Sequence, residues 1–185
     1  MRVIAGTARR IQLKTPKGMN TRPTTDRIKE TLFNMLQPNL ADCKFLDIFS
    51  GSGGIGIEAL SRGASYAVFI ENNREAIECI KDNLRQTKLE KNATVISGDY
   101  MSALQNLNQK KECFDIVFMD PPYQLDYEKK VLEYLRTSSI IHKDSFIIFE
   151  ASMDTKLDDL EPMGYEIYKI KEYKTNKHIF LTLQS

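Results

Sequence analysis

The residues best suited to chemistry lie in the stretch FMDPPY, where an acid, two prolines and an aromatic residue follow an apolar run. The run at residues 114–119 predicts a buried strand. Pro121 and Pro122 fix φ and donate no backbone hydrogen bond, so they should end the strand and keep the chain extended. We therefore expect Asp120 and Tyr123 to be held rigidly at the carboxyl end of this strand, the edge where open α/β sheets bind ligands.

A second candidate site is the glycine-rich stretch FSGSGGIG, which follows another predicted strand. Gly51 and Gly53 let the chain turn sharply and let a ligand approach the backbone. The spacing Gly51-x-Gly53-x-x-Gly56 also matches the dinucleotide fingerprint, so an NAD-binding domain remains an alternative. A glycine turn with only a structural role remains open as well.

Three acidic residues lie at the carboxyl ends of three successive predicted strands. Asp47 precedes the glycines and can meet a positively charged ligand group. Glu71 can accept both hydroxyls of a ribose, and Asp99 can bind an adenine edge. Together they predict a nucleoside-shaped site, and the charge of Asp47 suits the amino group of S-adenosylmethionine better than a pyrophosphate. We assign Phe49 and Tyr100 to the same site, although a core role for Phe49 is equally compatible with the sequence.

The DPPY sequence resembles motif IV of the amino-methyltransferases, which methylate exocyclic amines of adenine or guanine, or an amide. The lone pair of an amine on an aromatic ring is delocalised, so the nitrogen is a poor nucleophile. The Asp120 carboxylate and the Pro121 carbonyl can each accept a hydrogen bond from one of the two N–H groups of the amine. They can thereby orient the nitrogen and stabilise developing positive charge. Tyr123 offers a flat face on which an extruded base can stack, or it only packs against the protein.

Four blocks of the sequence together resemble the bacterial 16S rRNA guanine-N2 methyltransferases that modify guanosine 966: RVIAGTARRIQLKTPKG, RPTTDRIKETLFNML, LDIFSGSGGIGIEALSRGA and FMDPPY. The likeness covers almost the whole chain. RPTTDRIKETLFN is the most specific block, because many methyltransferases share the glycine loop and DPPY. Ser50 and Gly54 depart from the Ala that relatives commonly have, and these exchanges between small residues put little in doubt.

The resemblance implies a class I methyltransferase fold, S-adenosylmethionine as methyl donor, and methylation of the guanine 2-amino group in small-subunit RNA. Carried over to this chain, the cofactor residues are Asp47, Gly51, Gly53, Glu71 and Asp99, and the catalytic residues are Asp120, Pro121, Pro122 and Tyr123. An N6-adenine methyltransferase acting on RNA or DNA is the alternative within the same chemistry. The absence of a separate target-recognition domain argues against a DNA-specific enzyme.

The net charge of +1 conceals a strongly basic N-terminus. Residues 1–30 contain eight Lys and Arg against two acidic residues, whereas the rest of the chain has more acids than bases. A basic segment on a mildly acidic body is typical of nucleic-acid binders, although it can also be an inert solvated terminus. We expect residues 1–22 to form a basic, β-hairpin-like RNA-binding arm. The predicted contacts to RNA phosphates are Arg9, Arg10, Lys14, Lys17 and Arg22.

The motifs lie in a chain that alternates between strand and helix patterns. A helix is predicted from near Asp26 to before Pro38. Further helices are predicted at residues 54–62, 73–87, 100–108, 126–137 and 154–161, and strands at 44–50, 66–71, 93–98, 114–119 and 145–150. The tail predicts a hairpin joined by the turn KTNKH. Residues 23–185 should therefore form one α/β domain: a doubly wound, mostly parallel seven-stranded sheet, Rossmann-like, with a C-terminal antiparallel hairpin.

Composition narrows the class of protein. Three scattered cysteines and only two histidines argue against a metal site or a histidine-based triad. No apolar run approaches the roughly 18–20 residues that cross a bilayer, and the N-terminus lacks the apolar segment of a secretory signal. We therefore expect a cytoplasmic protein, a monomer without metal, whose partner is 16S rRNA, free or in an assembled or assembling 30S subunit.

Two other function classes remain as rivals. An NAD-dependent oxidoreductase would leave DPPY unexplained and would have little room for a catalytic domain. A nucleic-acid-binding module that has lost catalysis is opposed by the intact Asp120 and glycine loop.

Overall fold

The computed structural model describes residues 1–16, 26–122 and 126–184. The chain divides into two compact units, Met1–Tyr100 and Met101–Ser185, called here the N-terminal and C-terminal units. Three predicted site residues, Lys17, Arg22 and Tyr123, lie outside the described residues.

The N-terminal unit contains a three-stranded parallel sheet in the order β3-β2-β1. Its strands are β1 (Lys44–Ile48), β2 (Tyr66–Glu71) and β3 (Ala93–Ser97), and its helices are α1 (Asp26–Leu36), α2 (Gly54–Ser61) and α3 (Arg74–Thr87). β1 and β2 are buried almost throughout, which explains their continuous apolar sequences. The helix predicted from Asp26 is thus present, and it ends just before a short 3-10 helix that contains Pro38.

Helix α2 packs so closely on the sheet that its sequence is constrained. All of its residues are buried. A Cβ atom on Gly56 would lie 2.4 Å from the ring of Phe69 on β2, so glycine is required here for close approach of helix and strand. Helix α3 begins conventionally: the side chain of Asn73 accepts a hydrogen bond from the Ala76 N–H at 3.0 Å.

The C-terminal unit ends in an antiparallel hairpin, as predicted. Its elements are α4 (Tyr100–Gln109, which starts at the last residue of the N-terminal unit), β4 (Phe114–Met119), α5 (Tyr127–Thr137), β5 (Ile141–Ser152), β6 (Tyr165–Glu172) and β7 (Asn176–Leu183). β4 and β5 are parallel, whereas β7 pairs antiparallel with both β5 and β6. The seven strands form one mixed sheet in the order β3-β2-β1-β4-β5-β7-β6, which confirms the predicted fold class.

Three predictions differ from the structure. The predicted turn KTNKH is wrong in part, because its last three residues belong to β7, which begins at residue 176. β5 begins at residue 141 rather than 145. The helix predicted at residues 154–161 is wrong, because this segment forms turns. The Lys177 Nζ donates to the carbonyl oxygens of Met153 and Thr155 at 3.1 and 2.9 Å, so a side chain from β7 holds the start of this segment.

Within the described ranges, no helix is long and apolar enough to cross a membrane. The same part of the chain contains no cluster of three or more His, Cys, Asp or Glu side chains that could hold a metal ion.

Candidate active site

The glycine loop leaves β1 through a series of left-handed residues. Phe49, Gly51 and Gly53 have φ values of 62°, 55° and 79°. A Cβ atom on Gly51 would meet nothing within 4 Å, so glycine is favoured there by backbone conformation rather than by space. The Ser50 hydroxyl donates to the Asp47 carbonyl at 2.7 Å, and the Gly53 N–H donates to the Ser50 carbonyl at 2.8 Å, which closes the turn.

Asp47 lies behind this loop and is almost completely buried. Its Oδ2 accepts a hydrogen bond from the Gly56 N–H at 2.9 Å, which ties the end of β1 to the first turn of α2. Burial raises the pKa of Asp47 to about 7, the Gly56 N–H opposes this rise, and the charge of Glu71 adds to it. The carboxyl group of Asp47 therefore changes its charge near neutral pH.

Glu71, at the end of β2, is held by three backbone donors. Its Oε1 accepts from the N–H groups of Asn72 and Asn73 at 2.9 and 2.8 Å. Its Oε2 accepts from the Gly51 N–H at 2.8 Å. The carboxylate thus joins the end of β2 to the glycine loop, a structural role that the sequence analysis missed. Since a carboxylate can accept about four hydrogen bonds, it retains capacity for a ligand hydroxyl.

Glu71 forms one end of a small open pocket. The pocket is lined by Phe49, Ile70, Glu71, Asn72, Gly98 and Tyr100. The rings of Phe49 and Tyr100 lie 5.1 Å apart, inclined at 47°. Two aromatic rings and a carboxylate provide a surface for a planar base and an acceptor for hydroxyl groups, which are the features of a nucleoside site.

Three of the predicted cofactor residues therefore meet in this pocket: Phe49, Glu71 and Tyr100. Asp47 is buried behind the glycine loop, and Asp99 is exposed beside Gly98; neither lines the pocket. The sequence analysis missed Asn72 and Gly98, although both are direct neighbours in sequence of predicted site acids and could have been found by that adjacency.

Asp120 follows β4 directly, as the sequence predicted. β4 ends at residue 119, Asp120 is half-buried, Pro121 is buried and Pro122 is exposed. The chain therefore presents an acid and two prolines at the carboxyl end of a buried parallel strand, the geometry predicted for this motif.

The first 13 residues of the N-terminal arm form a hairpin-like turn. Arg2 and Gln12 form an antiparallel bridge. The Val3 N–H donates to the Ile11 carbonyl at 3.0 Å, and the Arg10 N–H donates to the Val3 carbonyl at 2.9 Å.

A buried carboxylate, Glu58 on α2, anchors this arm to the unit. Its oxygens accept from the N–H groups of Ile4 and Ala5 at 2.8 and 3.0 Å. The same carboxylate lies 3.2 Å from the Lys29 Nζ and 2.8 Å from the Arg62 Nε. Both Glu58 and Lys29 have fully buried side chains. Charges this deeply buried are tolerated only because each is paired and hydrogen-bonded.

Lys29 completes the anchor from helix α1. Its Nζ donates to the Arg2 carbonyl at 2.6 Å, and burial lowers its pKa, with Glu58 opposing that change. The sequence analysis did not single it out. The signal was present, because Lys29 shares the helical spacing of the buried residues Leu32, Phe33 and Leu36.

The predicted RNA-binding residues of the arm differ in their environment. Arg9 and Arg10 are exposed, and their side chains form no hydrogen bond or ion pair with the residues that the structure describes. Lys14 is paired with Asp82 on α3, with 2.7 Å between Nζ and Oδ2. The charge of Lys14 is therefore partly compensated, whereas the two arginines offer theirs to solvent.

Known proteins resemble this chain along most of its length. Residues 1–182 match the family described as Conserved hypothetical protein 95. YlbH of Bacillus subtilis strain 168, provisionally named an rRNA methyltransferase, is 38% identical over 159 residues, 86% of each chain. Ribosomal RNA small subunit methyltransferase D of Escherichia coli strain K12 is 35% identical over 171 residues, which cover 92% of this chain and 84% of that protein.

Comparison with solved structures gives the same result as comparison with these sequence relatives. The solved structure of the Escherichia coli protein yhhF superimposes with a TM-score of 0.86 at 32% identity, covering 100% of this chain and 98% of the other. The family resemblance stated from the sequence motifs is thereby confirmed. The chain belongs to the Conserved hypothetical protein 95 family, the family of the small-subunit ribosomal RNA methyltransferases D.

Proposed function

We propose that this protein transfers a methyl group from S-adenosylmethionine to the exocyclic 2-amino group of a guanine in 16S rRNA, at the position of guanosine 966. Methylation of small-subunit ribosomal RNA is supported by relatives that are named ribosomal RNA small subunit methyltransferase D and match most of this chain. The observation that carries the proposed reaction is the half-buried Asp120 at the end of β4, followed by buried Pro121.

The pocket in the N-terminal unit fits the nucleoside part of the cofactor. The Glu71 carboxylate accepts a ribose hydroxyl, while Phe49 and Tyr100 contact the adenine ring. Gly51 and Gly53 adopt left-handed φ values, which glycine tolerates. Because glycine has no side chain, the ligand can approach the backbone of this turn. Asp99, exposed at the end of β3, is the proposed partner of the adenine edge.

Asp47 is the proposed partner of the positively charged amino group of the cofactor. With a pKa of about 7, it is easily converted to its anion by a nearby cation such as an amino group. The anion remains bonded to the Gly56 N–H at the start of α2, so binding of the cation also fixes the glycine loop.

The chemical step is assigned to the residues after β4. S-adenosylmethionine would supply the methyl group from its positively charged sulfur: the S–CH₃ bond breaks with its electron pair left on sulfur, the nitrogen lone pair forms the N–CH₃ bond, and one N–H proton then passes to solvent. Asp120 and the Pro121 carbonyl each accept a hydrogen bond from one N–H group of the target amine and orient its nitrogen toward the methyl group. The Asp120 charge also stabilises the positive charge that develops on nitrogen. Tyr123 and Pro122 complete the motif, with Tyr123 as the stacking platform for the extruded base.

The arm supplies affinity for RNA. Arg9 and Arg10 contact phosphates, joined by Lys17 and Arg22, while Lys14 contributes less because Asp82 already engages it. Phosphate contacts position the substrate without reading its sequence. The proposed substrate is 16S rRNA, free or in an assembling or assembled 30S subunit, and the proposed enzyme is cytoplasmic and acts as a monomer.

Methylation of adenine at N6 is the alternative, since the DPPY motif suits either exocyclic amine.

The deciding experiment supplies methyl-tritiated S-adenosylmethionine to the purified protein with RNA, DNA and 30S subunits from cells that lack the enzyme. The modified nucleoside is then identified by chromatography. We expect N2-methylguanosine in 16S rRNA. N6-methyladenosine would establish the alternative, and no transfer to any substrate would refute the proposed function.

A further inference from the structure

A chain of four polar side chains, three of them buried, lies at the carboxyl end of β5. Glu150, on β5, accepts a hydrogen bond from the Asn176 amide at 2.6 Å, and its other oxygen lies 3.2 Å from the His178 Nε2. The His178 Nδ1 lies 3.2 Å from the Tyr173 hydroxyl. His178 is completely buried, and Glu150 is 9% exposed.

The protonation pattern of this chain follows from its contacts. Burial raises the pKa of Tyr173 to about 12, with a further contribution from Glu150, so the phenol keeps its proton and is able to donate a hydrogen bond to Nδ1. In the neutral tautomer with Nδ1 as acceptor, the Nε2 of His178 carries the ring proton and donates a hydrogen bond to Glu150. The Glu150 carboxylate receives two N–H donors, one on each oxygen, and this arrangement suits an anion.

Strand register places this anion beside Asp120. The last paired residues of β4 and β5 are Met119 and Phe149. Asp120, just beyond the end of β4, and Glu150 are the residues that follow this pair in the parallel register. Neighbouring strands lie about 4.8 Å apart, and paired residues project from the same face. Glu150 pairs in turn with His178 on β7. The three side chains therefore form one row across the edge of the C-terminal unit.

A ring contact supports this assignment of faces. The rings of Phe118 and His178 meet edge to face, with centroids 5.8 Å apart and planes at 87°. Phe118 precedes Asp120 by two residues, and residues two apart on a strand project from the same face. His178, Phe118 and Asp120 thus share one face of the strands.

We propose that Glu150 is a second carboxylate of the catalytic edge, whose negative charge stabilises the amine held at Asp120 as that amine becomes positive. Asn176 and His178 position Glu150, and Tyr173 fixes the His178 ring. This inference rests on the proposed function, because it requires positive charge to develop near Asp120. Glu150 acts through its charge, so replacing it should slow methyl transfer rather than weaken substrate binding.

The test replaces Glu150 with Gln, which keeps the shape and removes the charge. The Asn176 amide can rotate to present its oxygen to the new NH₂ group, so the variant should fold. Single-turnover methylation of 16S rRNA should fall on the order of tenfold, as expected for loss of one charge a few ångströms away in a partly screened site. Cofactor affinity, RNA affinity and melting temperature should stay near those of the wild type. Glu150→Asp, which restores the charge, should recover part of the rate.

The matched control is the other histidine–carboxylate pair of the same strands. His142 Nε2 lies 3.0 Å from Asp115 Oδ1 near the amino ends of β4 and β5, and both side chains are substantially exposed. Asp115→Asn should leave the transfer rate unchanged. An unchanged rate in Glu150→Gln, or equal losses in the Gln and Asp variants, would overturn the inference while wild-type activity still supported the proposed function. Wild-type protein without activity would instead refute the proposed function.

Discussion

Glu71 in the N-terminal unit and Glu150 in the C-terminal unit are both 9% exposed at the carboxyl ends of strands, but different groups hold them. Glu71 accepts three backbone N–H groups, all within 20 residues of it in sequence. Glu150 is held by the side chains of Asn176 and His178, 26 and 28 residues away on another strand. Backbone donors survive substitution of the residues that carry them, whereas side-chain donors do not. Glu71 is therefore fixed by backbone groups of nearby loops, whereas Glu150 is fixed by side chains of another strand.

Glu58 combines both kinds of support and should show the largest effect on stability. It binds two backbone N–H groups of the arm and the buried cations of Lys29 and Arg62. Glu58→Ala would leave the buried Lys29 without its anion, at a cost of about 3–5 kcal/mol in the free energy of unfolding. Urea unfolding monitored by circular dichroism measures this change.

An exposed ion pair on α3 provides the control. Glu78 and Lys81 lie 3.0 Å apart, with side chains more than half exposed, and Glu78→Ala should leave the unfolding transition close to that of the wild type. If Glu58→Ala were as stable as this control, Glu58 would not be the anchor of the arm.

Glu71→Ala should have the next largest effect, and it should act on cofactor binding. The change removes the proposed ribose acceptor and also releases the glycine loop, since the Gly51 N–H loses its partner. Each lost hydrogen bond to a charged acceptor is worth about 1.5–3 kcal/mol, so affinity for S-adenosylmethionine should fall at least about tenfold. Calorimetry on this variant and on Glu150→Gln sharpens the comparison, because only the first should bind the cofactor more weakly. Equal affinities would remove Glu71 from the site.

How far sequence could predict these sites depends on the range of the interactions. The glycine loop and the Asp120 motif were predictable because Gly51, Gly53 and Pro121 constrain the backbone locally. The anchor at Glu58 was not, because it forms only when the arm folds back on α2. The turns at residues 154–161 also involve a distant residue, since Lys177 donates to the carbonyl oxygens of Met153 and Thr155 at the start of the segment. Local signals predicted the turn and the strand end, whereas the tertiary contacts that hold them could not be predicted from local sequence.

Asp47 adds a pH dependence to the backbone-supported site. Below its pKa of about 7 the group is a neutral acid, and above it the group is an anion, the form that the proposed contact with the cofactor's amino group requires. Affinity for S-adenosylmethionine should therefore rise on the order of tenfold between pH 6 and 7.5. Asp47→Asn should flatten this rise. A profile identical in both proteins would show that Asp47 does not meet the cation.

The smallest predicted effect concerns the arm, where Lys14, which has an ion-pair partner, can be compared with two arginines that have none among the described residues. Replacing Arg9 and Arg10 with Ala should weaken RNA binding and reduce the slope of log affinity against log salt by about one unit per lost phosphate contact. Lys14→Ala should change the slope less, because Asp82 already binds that lysine. Cofactor affinity should not change. A slope unaltered by loss of both arginines would indicate an inert solvated terminus.

The most direct test of the proposed function is single-turnover methylation of 16S rRNA by Asp120→Ala, measured beside cofactor affinity and thermal melting. If Asp120 binds the target amine, the rate should fall on the order of 100–1,000-fold, the usual loss when a preorganised electrostatic partner is removed. Cofactor affinity and melting temperature should stay close to those of the wild type. A stable, cofactor-binding Asp120→Ala protein that methylates RNA at a near-normal rate would contradict the mechanism.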